Sequence, residues 1–291
     1  MQLGLQLFVN GVVAGAIYAI AALGFSLIYS STRIFHIAHG AVFTVSAYAF
    51  YAATSYLQLP LLLATGVAVL VGCVAGLICD IGVYWPLRKR RAGLAAQLIA
   101  SLGIFIVVQN VIVLAFGNQG EFIGEGSLSS YQIGGLTITK LHLITIGLAV
   151  LSLILMQMVM TWTRIGKAVR GVANNRERAQ AVGINLPLVH MFVFAVGSAL
   201  AALAAVLVSY DIGVRPDLGL RIVLVAAVSV ILGGVNSLIG AASGGLLLGL
   251  IENLAIWNIP ARWQETIAFA VLVAFLVFRP EGLIAHKNRQ G

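Results

Sequence analysis

Charge is what this sequence has least of. Only 9% of its 291 residues are Asp, Glu, Lys or Arg, against about 25% in a soluble domain. With 60% hydrophobic residues, the chain has too little polar surface to cover a water-soluble globule. It also lacks a Gly-x-x-x-x-Gly-Lys-[Ser/Thr] loop, the device that cradles nucleotide phosphates, so it is not itself an ATPase. Cysteine is scarce: Cys73 and Cys79 share one apolar run. On a helix they stand about 9 Å apart along the axis and on different faces, which argues against an internal disulfide. No basic region precedes the first apolar run, because the first Lys or Arg is Arg33. That run is therefore expected to be retained as a span rather than cleaved as a leader. No stretch interleaves basic and aromatic residues, so the net charge of +8 does not point to nucleic acid.

What is present is a series of uncharged apolar runs, each about 20 residues long and sufficient to cross a hydrocarbon core of about 30 Å. They are continuously apolar rather than alternating, which selects helices over a β-barrel. Nine crossings are expected, near 5–30, 39–57, 60–84, 94–116, 141–162, 188–209, 222–235, 238–257 and 265–279. The second carries Thr44, Ser46, Tyr48 and Tyr51, and the seventh is short and ends in Gly233-Gly234. These two leave room for broken or re-entrant segments, and eight to ten membrane elements bracket the reading. The fold class is all-α, a polytopic transmembrane helical bundle, with residues 1–291 forming one membrane domain.

Thirteen of the seventeen basic residues fall at Arg33, at 88–91, in the 163–187 loop and in the C-terminal tail. The opposite side holds five of the nine acids, Glu121, Glu125, Asp211, Asp217 and Glu265. The positive-inside rule makes the basic side cytoplasmic, and nine crossings then put the N-terminus outside and the C-terminus inside. The 117–140 loop lies on the outer, periplasmic side, where its alternating pieces Tyr131–Ile133 and Leu136–Ile138 predict a hairpin. Four glycine pairs at four-residue spacing (Gly11 and Gly15, Gly72 and Gly76, Gly240 and Gly244, Gly245 and Gly249) predict close helix packing.

The 163–187 loop is polar, basic and helical in propensity. Residues 175–182 read as a short surface helix stopped by Gly183, with Pro187 restricting its extension. Such a helix suits docking into a groove on a soluble partner; the plainer alternative is a solvated basic loop. The loop resembles the coupling segment of ABC importer permeases of the branched-chain amino acid type (LivH/LivM). Arg164, Gly166, Ala168, Arg170, Ala179, Gly183, Ile184 and Asn185 fit that pattern, and Gly171 departs from its usual Ala. Asn10-Gly11 through Tyr29, Ile37-Ala38-His39-Gly40, Leu232-Gly233-Gly234, Glu252 and Phe278-Arg279-Pro280-Glu281-Gly282-Leu283 resemble the same family, so the likeness covers nearly the whole chain. Ser30 and Ser31 stand where the family has Gly.

The resemblance implies an importer in the bacterial inner membrane. A periplasmic binding protein delivers branched-chain or other apolar amino acids, a second homologous permease completes the pathway, and two cytoplasmic ATPase subunits carry ATP and Mg. No cofactor is expected on this chain. Relatives of this type also carry urea, short amides or aromatic acids. A secondary transporter or channel would call for inverted repeats and paired intramembrane charges, and an intramembrane hydrolase for a nucleophile beside a buried base; neither pattern is found.

Among polar residues inside the spans, Asn10, Tyr18, Gln97 and Ser101 are candidates to line a substrate pathway, the alternative for each being an interhelical hydrogen bond. Two acids lie within the spans. Asp80 stands near Arg88 and Lys89 and is expected to pair there. Glu252 is mid-span and a candidate gate, as are His39 and Gly40 near an expected helix break after Arg33. His36 and His39 have no third ligand nearby in sequence, so no metal site is expected.

Overall fold

The computed structural model describes residues 2–123, 130–133, 135–278 and 282–283. Glu125, the Arg279–Glu281 portion of the terminal motif, and the tail residues Lys287 and Arg289 lie outside the described residues. Helix α1 (Gln2–Thr32) is followed by α2 (Ala38–Tyr51), which runs on through a π turn at Ala52–Tyr56. Helix α3 (Leu61–Ile78) continues through a second π turn, Cys79–Tyr84, into α4 (Trp85–Lys89), and α5 spans Leu94–Phe116. Strands β1 (Ser130–Ile133) and β2 (Leu136–Thr139) precede α6 (Lys140–Trp162), α7 (Arg164–Asn174) and α8 (Arg176–Ala181). The chain closes with α9 (Leu186–Ile212), α10 (Leu218–Gly233), α11 (Leu238–Ala255) and α12 (Gln264–Phe278).

Among the described residues, seven helical segments are long and apolar enough to cross a membrane. The two helices whose sequences read as the weakest spans, α2 and α10, are both shorter than these, and α10 is a shorter apolar helix. Their weakness has a physical cause. Most of each helix is buried against protein, so its residues need not satisfy lipid. Thr44 on α2 turns its hydroxyl back to the Gly40 carbonyl at 3.0 Å, and Ser229 on α10 does the same to Val225 at 2.7 Å. Buried in protein, a short or polar helix is tolerated at membrane depth.

The bundle is built around α1. The most apolar stretch of α1 is 89% buried, against 17% for α5 and 6% for the last segment, so α1 is the core and α5 and α12 are rim. Helix α1 packs on α11, α9, α10 and α6, and α2 packs on α3, α9 and α10. The glycine pairs read from the sequence lie in these seams. A Cβ on Gly15 would stand 2.8 Å from the Leu246 Cα, and one on Gly245 would stand 2.7 Å from the Ala19 nitrogen. Gly72 and Gly76 bring α3 against Ala202 and Ser198 of α9, and Gly244 meets the Ser229 carbonyl. Small residues thus let main chains touch where lipid supplies no hydrophobic drive between helices.

The chain breaks after α1 as expected: Arg33 adopts a positive φ of 60°, and the Thr32 hydroxyl bonds the Ile28 carbonyl while accepting from the Ile34 N–H. The hairpin also forms, with Tyr131 opposite Ile138. Gln6 of α1 pins it by donating to the Thr137 carbonyl and accepting from the Thr137 N–H at 2.9 Å.

Candidate functional site

Two regions at opposite ends of the bundle hold the polar chemistry. The first is a cavity of about 310 Å³ at the end away from the basic loops, walled by α1, α6, α9, α10 and α11. Its apolar wall includes Val13, Ile17, Val208 and Ile222; its polar lining includes Asn10, Tyr18, His142, Asp211, Arg221 and Asn253. The glycine seam explains why α1 and α11 present Tyr18 and Asn253 side by side. Beneath the cavity the Tyr18 hydroxyl donates to Glu252 Oε2 at 2.7 Å, with both groups buried. Asn10 is oriented by Gln6, whose Nε2 donates to Asn10 Oδ1 at 3.0 Å. Arg221 donates through Nη2 to Gln264 Oε1 at 3.2 Å and stands 3.7 Å from Glu265.

Of the four residues proposed from sequence for a pathway, Asn10 and Tyr18 therefore share this cavity. Gln97 and Ser101 do not. They are buried near the start of α5, at the other end. Gln97 donates to the Ala92 carbonyl at 3.0 Å, and Ser101 Oγ accepts the Ala38 N–H at 2.9 Å, supporting the first turn of α2. The sequence reading missed Asp211, Arg221 and His142 as cavity groups, because it treated them as loop charges or passed over them. A usable signal was there: one acid and one base, ten residues apart, at the facing ends of two apolar helices.

The second region is the basic end. Helix α7 is amphipathic, with Val169 and Val172 buried and Arg164, Lys167 and Arg170 exposed. It follows α6 after a single residue, Thr163, whose hydroxyl bonds back to Val159 and accepts the Gly166 N–H at 3.0 Å. Gly166 lies directly on the Val159 and Met160 main chain, leaving no room for a Cβ. Asn175 ends α7 and caps α8 by accepting the Arg178 N–H at 2.8 Å. The surface helix read at 175–182 is thus present as α8, but a longer helix, α7, precedes it. Ala179 is buried, and Gly183 takes φ 83° so that Ile184 N–H can return to the Ala179 carbonyl at 3.0 Å. That is a left-handed helix stop. Ile184 is half-buried and Ala168 partly so. Asn185 then caps α9 by accepting the Leu188 N–H at 3.2 Å, and Pro187 sits in the first turn of α9. Pro187 therefore begins a helix, a position where its missing N–H costs nothing. Val182 is 77% exposed at the tip of this unit.

Between the two ends lies a buried polar belt. His36 Nδ1 is 2.8 Å from the Tyr84 hydroxyl, and the His36 and His39 rings are 5.8 Å apart between centroids. His39 fills the space over Gly24. Gly40 meets Gly219 of α10, where a Cβ would stand 2.5 Å from the Gly219 carbonyl oxygen. Asp80 pairs with Arg88, as its position in the sequence suggested.

Comparison with known proteins gives this geometry a family. Residues 7–276 match the model of the "Branched-chain amino acid transport system / permease component" family. The chain is 29% identical to the high-affinity branched-chain amino acid transport system permease protein BraD of Pseudomonas aeruginosa, over 96% of this chain and 95% of that protein. It is 28% identical to the permease protein LivH of Escherichia coli K12, with the same coverage. The autoinducer 2 import system permease LsrC of Yersinia pseudotuberculosis is 31% identical over 72% of this chain and 60% of its own length. Among solved structures, PsaBC from Streptococcus pneumoniae in complex with Fab is similar in fold, with a TM-score of 0.54 and 14% identity over 94% of this chain and 91% of that one. With seven helices long and apolar enough to cross a membrane among the described residues and a family match along nearly its whole length, the chain is a multi-pass membrane protein and belongs to the family of branched-chain amino acid transport system permease components.

Proposed function

We propose that this chain is a permease subunit of an ATP-driven ABC importer for branched-chain or other apolar amino acids, its 291 residues acting as one transmembrane domain. In this reading it lies in the bacterial inner membrane with its C-terminus cytoplasmic. It pairs with a second, homologous permease and receives substrate from a periplasmic binding protein at the cavity end. It docks two cytoplasmic ATPase subunits, which carry ATP and Mg, through α7 and α8.

The observation that carries the reading is the unit from Thr163 to Asn185. A single-residue elbow, an amphipathic basic helix, a capped short helix and an exposed apolar tip at Val182 form a rigid surface feature at one end of the bundle. A transporter complete in itself has no use for it, whereas a groove on a motor subunit does. Arg164 and Arg170 present charge to such a partner, and Gly166, Ala168, Ala179, Gly183, Ile184 and Asn185 shape the unit. The basic residues around it support a cytoplasmic placement. Asn10 and Tyr18 serve the entry cavity, with Glu252 as a gate at its floor; Gln97 and Ser101 lie further along the route, with His39 and Gly40 as gate residues between.

Co-purification of the tagged chain from native membranes tests this. A second permease and ATPase subunits are expected with it, and the reconstituted complex is expected to take up leucine only with ATP and the binding protein. A chain that purifies alone and carries solute into liposomes without ATP would sink the reading. Uptake of urea or aromatic acids in place of leucine would keep the machinery and change its cargo.

A further inference from the structure

The end cavity holds two charges placed against the fields of their own helices. Asp211 sits in the last turn of the 27-residue helix α9, and Arg221 in the first turn of the 16-residue helix α10. A helix C-terminus carries partial negative charge and an N-terminus partial positive charge, so each side chain has the sign its helix end disfavours. Neither is locked into a close ion pair among the described residues. Arg215 and Asp217, on the connecting loop, pair with each other at 2.9 Å. Asp211 makes no ion pair with Lys or Arg among the described residues, and the titratable side chain that acts on it is His142 of α6. Arg221 is steadied by Gln264, has Glu265 at 3.7 Å, and lies within electrostatic reach of Tyr18 and Glu252 at the cavity floor. The cavity thus presents an anionic corner reinforced by α9 and a cationic corner reinforced by α10. Between them stands an aliphatic wall that includes Val13, Ile17 and Val208.

We propose that this cavity binds one aliphatic α-amino acid as a zwitterion, within a single permease subunit. This rests on the importer reading above and adds to it a site and an orientation. The Arg221 guanidinium and the start of α10 take the carboxylate; guanidinium offers the paired donors that a carboxylate accepts. The Asp211 carboxylate and the end of α9 take the ammonium. The aliphatic side chain rests on the wall of α1 and α9. A volume of about 310 Å³ lies at the small end of ligand pockets, which run from about 300 to 1,000 Å³, and suits a solute of this size. Tyr18 at the floor is committed to Glu252, so the two rim charges carry the discrimination. A neutral amide or a plain carboxylic acid satisfies at most one corner.

The test is saturation-transfer difference NMR on the complete transporter in nanodiscs, without binding protein, using L-leucine, leucinamide and 4-methylpentanoate. L-leucine is expected to bind about ten-fold or more tightly than either analogue, the loss of one charge-assisted contact. Arg221→Gln should weaken L-leucine by about ten-fold and leave leucinamide unchanged, and Asp211→Asn should weaken L-leucine similarly and leave 4-methylpentanoate unchanged. Arg221→Lys and Asp211→Glu, which keep each charge, should stay within about three-fold of the parent. Equal binding of all three solutes, no binding, or variants that hold L-leucine like the parent would overturn the proposal. If a neutral variant fails to assemble, the ranking of the three solutes on the unaltered complex decides. ATP-driven leucine uptake by the same preparation reports separately on the importer reading: uptake without the charge pattern removes only this site, and no uptake removes the reading beneath it.

Discussion

The Tyr18 hydroxyl reaches Glu252 Oε2 at 2.7 Å across 234 residues of sequence, joining the middle of α1 to the far end of α11. Interhelical hydrogen bonds in membranes average about 0.6 kcal/mol, but this one serves a buried carboxyl group. Removing the donor with Tyr18→Phe should cost about 1–3 kcal/mol, because the acceptor stays buried without its partner. Glu252→Leu added to Tyr18→Phe should cost less than the two single changes summed, and thermal unfolding in detergent of the four proteins of the cycle measures the difference. Additive losses would show that the two groups are independent.

Glycine substitutions should divide sharply by seam. Gly15→Ala forces a Cβ to 2.8 Å from the Leu246 main chain and should cost about 1–3 kcal/mol through overpacking. Gly103, on the exposed rim helix α5, has nothing within 4 Å of a built Cβ. Gly103→Ala should be neutral or stabilise by about 0.5–1 kcal/mol, through helix entropy alone. Melting temperatures of the two variants, compared with the parent, check both signs.

The Arg88–Asp80 pair is nearly buried, with side chains 10% and 3% exposed. Arg88→Met strands the Asp80 carboxylate and should destabilise by about 3–5 kcal/mol. Asp80→Asn in the same chain should restore most of that loss. Expression level and thermal stability of the single and double variants read this directly, and a double variant no better than Arg88→Met would contradict it.

At the basic end, Gly183 is constrained by its φ of 83° and not by space, since nothing lies within 4 Å of a built Cβ. Gly183→Ala should therefore cost about 1–2 kcal/mol locally, and Gly183→Asn noticeably less. Asn185→Ala removes the cap of α9 and should cost about 1 kcal/mol. Hydrogen exchange across residues 176–190 is the suitable readout: faster exchange is expected for Gly183→Ala and Asn185→Ala, and near-parent exchange for Gly183→Asn.

Much of this fold was legible in the sequence because membrane burial writes itself in long apolar runs and in spaced glycines. The seven long apolar helices were read, and so were α2 and α10, the hairpin, the break after Arg33 and the Asp80 pairing. What escaped depends on which helices become neighbours. Asp211 and Arg221 look like ordinary end-of-span charges until α9 and α10 close over α1. Gln97 and Ser101 look the same in sequence as Asn10 and Tyr18, and only the packing of α5 as a rim helix separates them, placing them at the other end where Ser101 supports the start of α2. Helix α7 was hidden because its apolar positions, Val169 and Val172, are few and its charges many. Its identity depends on the Thr163 elbow that starts it.

That elbow fixes the mechanics of α6. The helix is about 35 Å long at 1.5 Å per residue. One end is welded to α7 by Thr163 and by the close seating of Gly166 on Val159, and the other end carries His142 on the wall of the solute cavity. Were α6 to tilt as a rigid rod about its α7 end, a few degrees would carry His142 through an arc of about one or two ångströms at the cavity wall.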